Sequence, residues 1–123
     1  MDPTKDEENQ QPIPEVWRDV FELVAQRFVD QDYLLEAAVP SVSPVSEETA
    51  TQIREYIEDY GEKLIPLQEG TWERSVAMWV GGCWNVVVDL CTESEGVSDL
   101  VLHAEVRESE HGYAYEISGV WVP

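Results

Sequence analysis

The chain has 123 residues, room for one domain, which at this size buries roughly two-thirds of the surface its unfolded form exposes. A 43% hydrophobic content with five tryptophans supplies a core and argues against wholesale disorder. The 26 acids set against 7 bases give a net charge of −19, which argues against direct contact with nucleic acid or an anionic membrane. Such a charge also costs stability through self-repulsion, so it asks for a reason: solubility, a salt-rich cytoplasm, or a basic partner.

Residues 1–12 (MDPTKDEENQQP) hold almost no apolar side chains and read as a disordered acidic tail, leaving residues 13–123 as the folded domain. The acidic, polar start is unlike the basic, apolar start of a secretory leader. No apolar run approaches the roughly 20 residues that a membrane span needs. A cytoplasmic location is expected.

Pro14 suits a helix start, and Val16, Trp17, Val20, Phe21, Val24 and Phe28 follow at helical spacing, which predicts a helix from about Pro14 to Val29. Asp32 to Val39 reads as a further turn or short helix, broken by Pro40 and Pro44. A second helix starts at Ser46, a capping residue, with Glu47 and Glu48 in the first turn and Gly61 placed to close it. Ile53, Ile57, Tyr60 and Leu64 project along one line, while Glu48, Glu55, Glu58, Asp59 and Glu62 form an acidic stripe opposite.

After Pro66 the period changes to two. Strands are predicted at Ser75 to Val80, Trp84 to Cys91, Asp99 to Arg107 and Tyr113 to Val122. Gly81-Gly82 marks a hairpin, and Gly119 a bulge in the last strand. Trp84, Val86, Val88 and Leu90 share one buried face with Leu100, Leu102, Ala104 and Val106, while Val101, His103, Glu105 and Arg107 face water. The expected fold is α+β, two N-terminal helices packed on a four-stranded antiparallel meander sheet.

Cys83 and Cys91 would stand roughly 26 Å apart on one continuous strand. A disulfide needs Cα atoms within about 7 Å, so free thiols in a reducing compartment are expected. His103 and His111 lack a ligand four residues on or a nearby CxxC, so no metal and no cofactor is expected. The acidic loop Asp89 to Asp99 does not have calcium-loop spacing, and it reads as a turn in which Gly96 takes a positive φ and Ser98 or Asp99 bonds the backbone. No nucleophile motif or phosphate loop is present, so no catalytic residue is assigned and an enzyme is not expected. Trp17 and Trp84 belong to the core. Trp72, Trp79 and Trp121 are either roof or interaction anchors.

The run from Val88 to Leu102 (VDLCTESEGVSDLVL) resembles the V-D-L-W-T-x-E-E-G-x-S-D-L-T-L signature of a family of small uncharacterised bacterial domains. Gly112-Tyr113 with Glu116-Ile117, and Tyr60-Gly61 with Leu64 and Pro66, match the flanking parts. Cys91, Ser94 and Trp121 depart from that pattern. The resemblance spans about Val16 to Val122 and implies a bacterial or phage origin, with no site residue carried over.

The function expected is that of an acidic binding protein that blocks a basic partner. It would be an immunity protein or anti-defence inhibitor, a nucleic-acid mimic facing a nuclease or nucleic-acid-binding complex. The contact surface would be Glu48, Glu55, Glu58, Asp59 and Glu62 on a monomer. The alternative is a small-ligand-binding or enzymatic domain with a pocket between helices and sheet.

Overall fold

The computed structural model describes residues 3–123. Helix α1 spans Glu15–Val29, with Pro14 one residue before it, and buries Trp17, Phe21, Val24, Ala25 and Phe28. Val16, expected on that face, is 58% exposed. It lies about 100° round the helix from Trp17, off the edge of the stripe. Asp32 to Val39 forms turns and no helix. The Asp32 carboxylate takes the Glu36 and Ala37 amides at 2.8 and 2.9 Å, offering them an alternative to helical bonds. Helix α2 spans Glu47–Tyr60. Ser46 Oγ accepts from Thr49 N at its start, and Gly61, at φ 80°, closes it. Leu64, expected to continue the helical line, lies beyond this cap.

Among the described residues the sheet has six strands rather than four. β1 is Gln11–Pro12, β2 Leu64–Ile65, β3 Val76–Trp79, β4 Trp84–Thr92, β5 Gly96–Ser109 and β6 Gly112–Trp121. The order is β1-β3-β4-β5-β6, all neighbours antiparallel, with β2 also paired to β4. The expected meander is therefore β3 to β6, and two-residue strands extend it. β4 receives β3 along Trp84 to Val87 and β2 at Cys91 and Thr92. A 3-10 helix, Glu69–Glu73, fills the space between. There hydroxyls replace a strand: Ser75 Oγ accepts from Asp89 N at 2.9 Å and donates to Thr71 O, while Thr71 Oγ1 lies 3.0 Å from Cys91 Sγ. Cys83 and Cys91 are both free and buried.

The inner sheet face is as expected: Trp84, Val86, Val88, Leu90, Leu100, Leu102, Ala104 and Val106 are all buried. Trp17 packs edge-on against Trp84 and Tyr113, and Phe21 against Tyr115. The other face is only partly wet, because Val101 and Asp89 are buried there too. The free edge of β6 is covered. Gln52 of α2 donates to Val120 O at 2.7 Å and accepts from Val120 N at 3.2 Å, and Ser41 and Ser43 exchange backbone bonds with Tyr115. α2 thus packs along an edge rather than wholly over the face. The register shifts between His103 and Ala104, opposite Gly119, the expected bulge. A Cβ at Gly119 would lie 2.4 Å from Trp121 Cη2, so only glycine lets that ring close over the strand.

Residues 3–12, read from composition as a free tail, lie along the sheet, while Met1 and Asp2 fall outside the described residues. Trp84 Nε1 donates to Thr4 O at 2.7 Å, and Gln11 and Pro12 pair with Ala77 and Val76.

Candidate functional site

Four of the five acids expected to form the stripe stand exposed on α2: Glu48, Glu55, Glu58 and Asp59. Glu48, Glu55 and Asp59 are nearly collinear, about 10 and then 6 Å apart along the axis. Glu62 lies past the Gly61 cap, half-buried, and accepts a hydrogen bond from Ser94 Oγ of the β4–β5 turn. It is a tie between elements as much as a surface charge. Among the described residues the ion pairs are Lys5–Glu108, Lys63–Glu93, Arg74–Asp89 and Arg107–Glu105, and none uses an acid of the α2 face.

The stripe borders a groove that the sequence did not reveal. Residues 30–37 and α2 enclose about 730 Å³ between Asp30, Asp32, Tyr33, Glu36, Glu47 and Arg54. It shares Tyr33 and Arg54 with a second hollow of about 510 Å³ that reaches Glu58 and Glu62. Burial pushes the Tyr33 hydroxyl above its usual range, Glu58 adds to that, and Arg54 opposes it. The groove wall bends through Gln31 and Leu35, both at positive φ (63° and 56°), a conformation that costs energy for a non-glycine residue. Proximity of residues 30 to 37 to Glu47 or Glu58 depends on how the connector folds back, which periodicity does not encode. Trp17, Phe21 and Trp84 are fully buried between α1 and the inner sheet face, while the second hollow opens between α1, α2 and β2 at Phe28, Ile57 and Leu64.

A third hollow, about 500 Å³, opens on the outer sheet face between Arg74, Asp89, Asp99, Val101 and Val122. Asp89 is 6% exposed. Arg74 Nε lies 3.1 Å from its Oδ2, close enough for an ion pair but off the line of a hydrogen bond, so that oxygen has no hydrogen-bond donor. Burial pushes the Asp89 carboxyl up, and Arg74 partly offsets this. A lone acid in the apolar run of β4 was the sequence signal for it. His103, expected on the wet face, is edge-on to Trp121 at 4.9 Å, and burial lowers its pKa. His111 is exposed in the β5–β6 turn.

Asp89 to Asp99, read as a loop, is instead the end of β4, a tight turn at residues 93–95 and the start of β5; Gly96 takes φ 71° and Ser98 Oγ donates to Leu90 O, as the turn reading requires. Thr92 Oγ1 and Tyr60 both bond Glu95. Among the described residues, no three or more His, Cys, Asp or Glu side chains gather as a metal site, and no helix is long and apolar enough to cross a membrane.

Fold and surface define an acidic α+β domain whose second helix carries a carboxylate face without ion pairs among the described residues. The chain belongs to a family described as a domain of unknown function (DUF7668), whose model matches residues 25–123. The match begins inside α1, so β1 and the first turns of that helix precede it. No curated protein and no solved structure matches the chain.

Proposed function

We propose that this domain is an acidic inhibitor that covers a basic protein surface, such as a nuclease or a nucleic-acid-binding complex, and so acts as a nucleic-acid mimic. An immunity or anti-defence role in the cytoplasm of a bacterium, or of a bacterium carrying a phage, fits that reading, with the domain acting as a monomer. The observation that carries it is the row Glu48, Glu55, Glu58 and Asp59, exposed and without ion-pair partners among the described residues, in a chain of net charge −19. Such a row speeds encounter with a basic target and rejects anionic ones. We also infer that the Val88 to Leu102 run is the family's signature. The bonds of Ser98, Thr92 and Glu95 support a structural role for it, fixing the β4–β5 hairpin.

The test replaces Glu48, Glu55 and Asp59 by lysine, leaving Glu62 to Ser94, and compares this variant with Asp19, Glu22 and Glu110 reversed. All six residues are exposed. Affinity capture from host lysate, quantified by mass spectrometry, should retain one basic protein in equal proportion on the native chain and on the second variant. The α2 variant should lose it about tenfold or more, mainly through slower, salt-sensitive association. Equal loss from both variants would reduce the effect to net charge, and retention by both would remove α2 as the surface.

A second reading rests on Asp89. A buried carboxyl with a raised pKa beside an arginine in an open hollow is also how a ligand or catalytic site is built. A small molecule that raises the melting temperature of the native chain but not of Asp89→Asn would favour it.

A further inference from the structure

Residues 4–12 form a closed strap over the end of the sheet. Gln11 holds Thr4 from both sides, accepting from Thr4 N at 3.0 Å and donating to Thr4 O at 2.7 Å. Between them the Asp6 carboxylate accepts from the Glu8 and Asn9 amides, which turns the loop back on itself. The strap carries Lys5 into a notch. Its Nζ lies 2.7 Å from Glu108 Oε1 and 5.2 Å from the centre of the Trp79 ring, which stacks edge-on against Trp84 at 4.7 Å. Trp84 Nε1 in turn spends its hydrogen bond on Thr4 O. An ammonium between an aromatic ring and a carboxylate, flanked by a donor for a backbone carbonyl, is the set of groups that can hold a lysine and the main chain beside it.

The strap fills it poorly. Its ladder to β3 has two rungs, Gln11 to Ala77 and Pro12 to Val76, and Pro12 has no N–H to give. Met78 and Trp79 have no partner in β1. Beside its one lysine the strap carries Asp6, Glu7 and Glu8, three of the 26 acids of a chain whose net charge is −19. The Lys5–Glu108 pair is half-exposed on both sides and therefore screened by salt. A segment with the same lysine, fewer acids and a longer ladder would hold the site better on every count.

We propose that the β3 edge with Trp79, Trp84 and Glu108 is a binding site for an extended, lysine-bearing segment of a partner protein. Residues 4–12 occupy it in the isolated chain as a displaceable strap. Recognition combines strand addition along Val76–Trp79 with capture of one lysine in the aromatic–carboxylate notch. The site is independent of the α2 face, lies on other elements, and stands or falls apart from it. The strap lowers the apparent affinity in proportion to the fraction of time it is closed.

The probes are labelled synthetic peptides: residues 2–12 of this chain, the same peptide with Glu7 and Glu8 changed to lysine, and that second peptide with Lys5→Glu. Fluorescence anisotropy is measured at about 0.15 M salt, where remote charges are largely screened. A chain shortened to begin at Ile13, which frees Val76 and Ala77 of β1, should bind the second peptide about tenfold tighter than the full chain does, and tighter than it binds the first. The Lys5→Glu peptide should lose about tenfold, and so should the shortened chain carrying Trp79→Ala or Glu108→Gln. Full-length Lys5→Ala, which keeps β1 and the Gln11 clamp, should gain severalfold. It carries the test alone if the shortened chain gives no cooperative thermal transition. No gain on opening the strap, or binding indifferent to Lys5, Trp79 and Glu108, overturns the proposal. A concentration-dependent dimer with exchanged straps would also overturn it, giving the site to a second copy.

Discussion

Asp89 lies on the outer face of β4 beside Val87 and Val101 and is buried, so an ionised carboxylate is costly there. Its folded pKa lies above the ordinary value of 3.8 because burial outweighs the attraction of Arg74. The protonated form is therefore favoured by folding. Asp89 contributes most below the unfolded value, and that contribution is lost as pH rises through the raised one. At neutral pH Arg74 limits the penalty. Removing one partner of a fully buried pair costs about 3–5 kcal/mol. With the Arg74 side chain 61% exposed, screening reduces the expected cost of Arg74→Ala to about 1–2 kcal/mol. That loss should shrink as pH falls and Asp89 protonates, and Asp89→Asn in the same chain should recover most of it. Thermal melts from pH 4 to 7 read both effects. A loss that stays constant with pH would mean Arg74 acts by packing or through its 3.4 Å contact to Ser98 O. The odd acid was visible in sequence. Its counter-ion was not, because Arg74 reaches it from a connector with no period of its own.

At the scale of elements, what had a period was legible. α1, α2 and β3 to β6 each carry enough residues for a 3.6 or 2 repeat, and their ends follow caps such as Ser46 and Gly61. β1 and β2 have two residues each, too few for any pattern, and they form because β4 and β3 offer unpaired edges. Of the candidate surface, the exposed acids of α2 were readable, while the fate of Glu62, beyond the helix and bound to Ser94, depended on a tertiary contact. Gln52 is the same kind of case: a polar residue on an amphipathic helix that serves as a substitute strand for β6. Gln52→Ala removes two bonds to a buried Val120, so a loss of about 1–2 kcal/mol is expected. This is several degrees of melting temperature for a domain of this size. Gln52→Glu should cost at least as much despite its shape, since a carboxylate oxygen would face the Val120 carbonyl. A harmless Glu substitution would show that the amide pairing does not hold the edge.

For the whole molecule, the charge asymmetry is a thermodynamic load that the fold does little to relieve. Lys5, Lys63, Arg74 and Arg107 each neutralise one acid. Arg18 donates to Ile13 O and lies over Trp72, and Arg27 donates to Ala37 O, so both are spent on structure. Most of the 26 carboxylates repel one another through water. Screening should then stabilise the domain. As salt rises from about 0.02 to 0.5 M the Debye length drops from roughly 20 to 4 Å. Over that range the melting temperature should climb by about 3–6 °C. Reversing Glu48, Glu55 and Asp59 adds two charges at each position, taking −19 to −13. That variant should melt higher than the native chain at low salt and show a shallower dependence on salt. Stability and partner binding would then move in opposite directions at the same three residues, the mark of charge retained for contact rather than for folding. A melting temperature indifferent to salt would show that self-repulsion is not a cost here. The acidic face would then need no functional reason to persist.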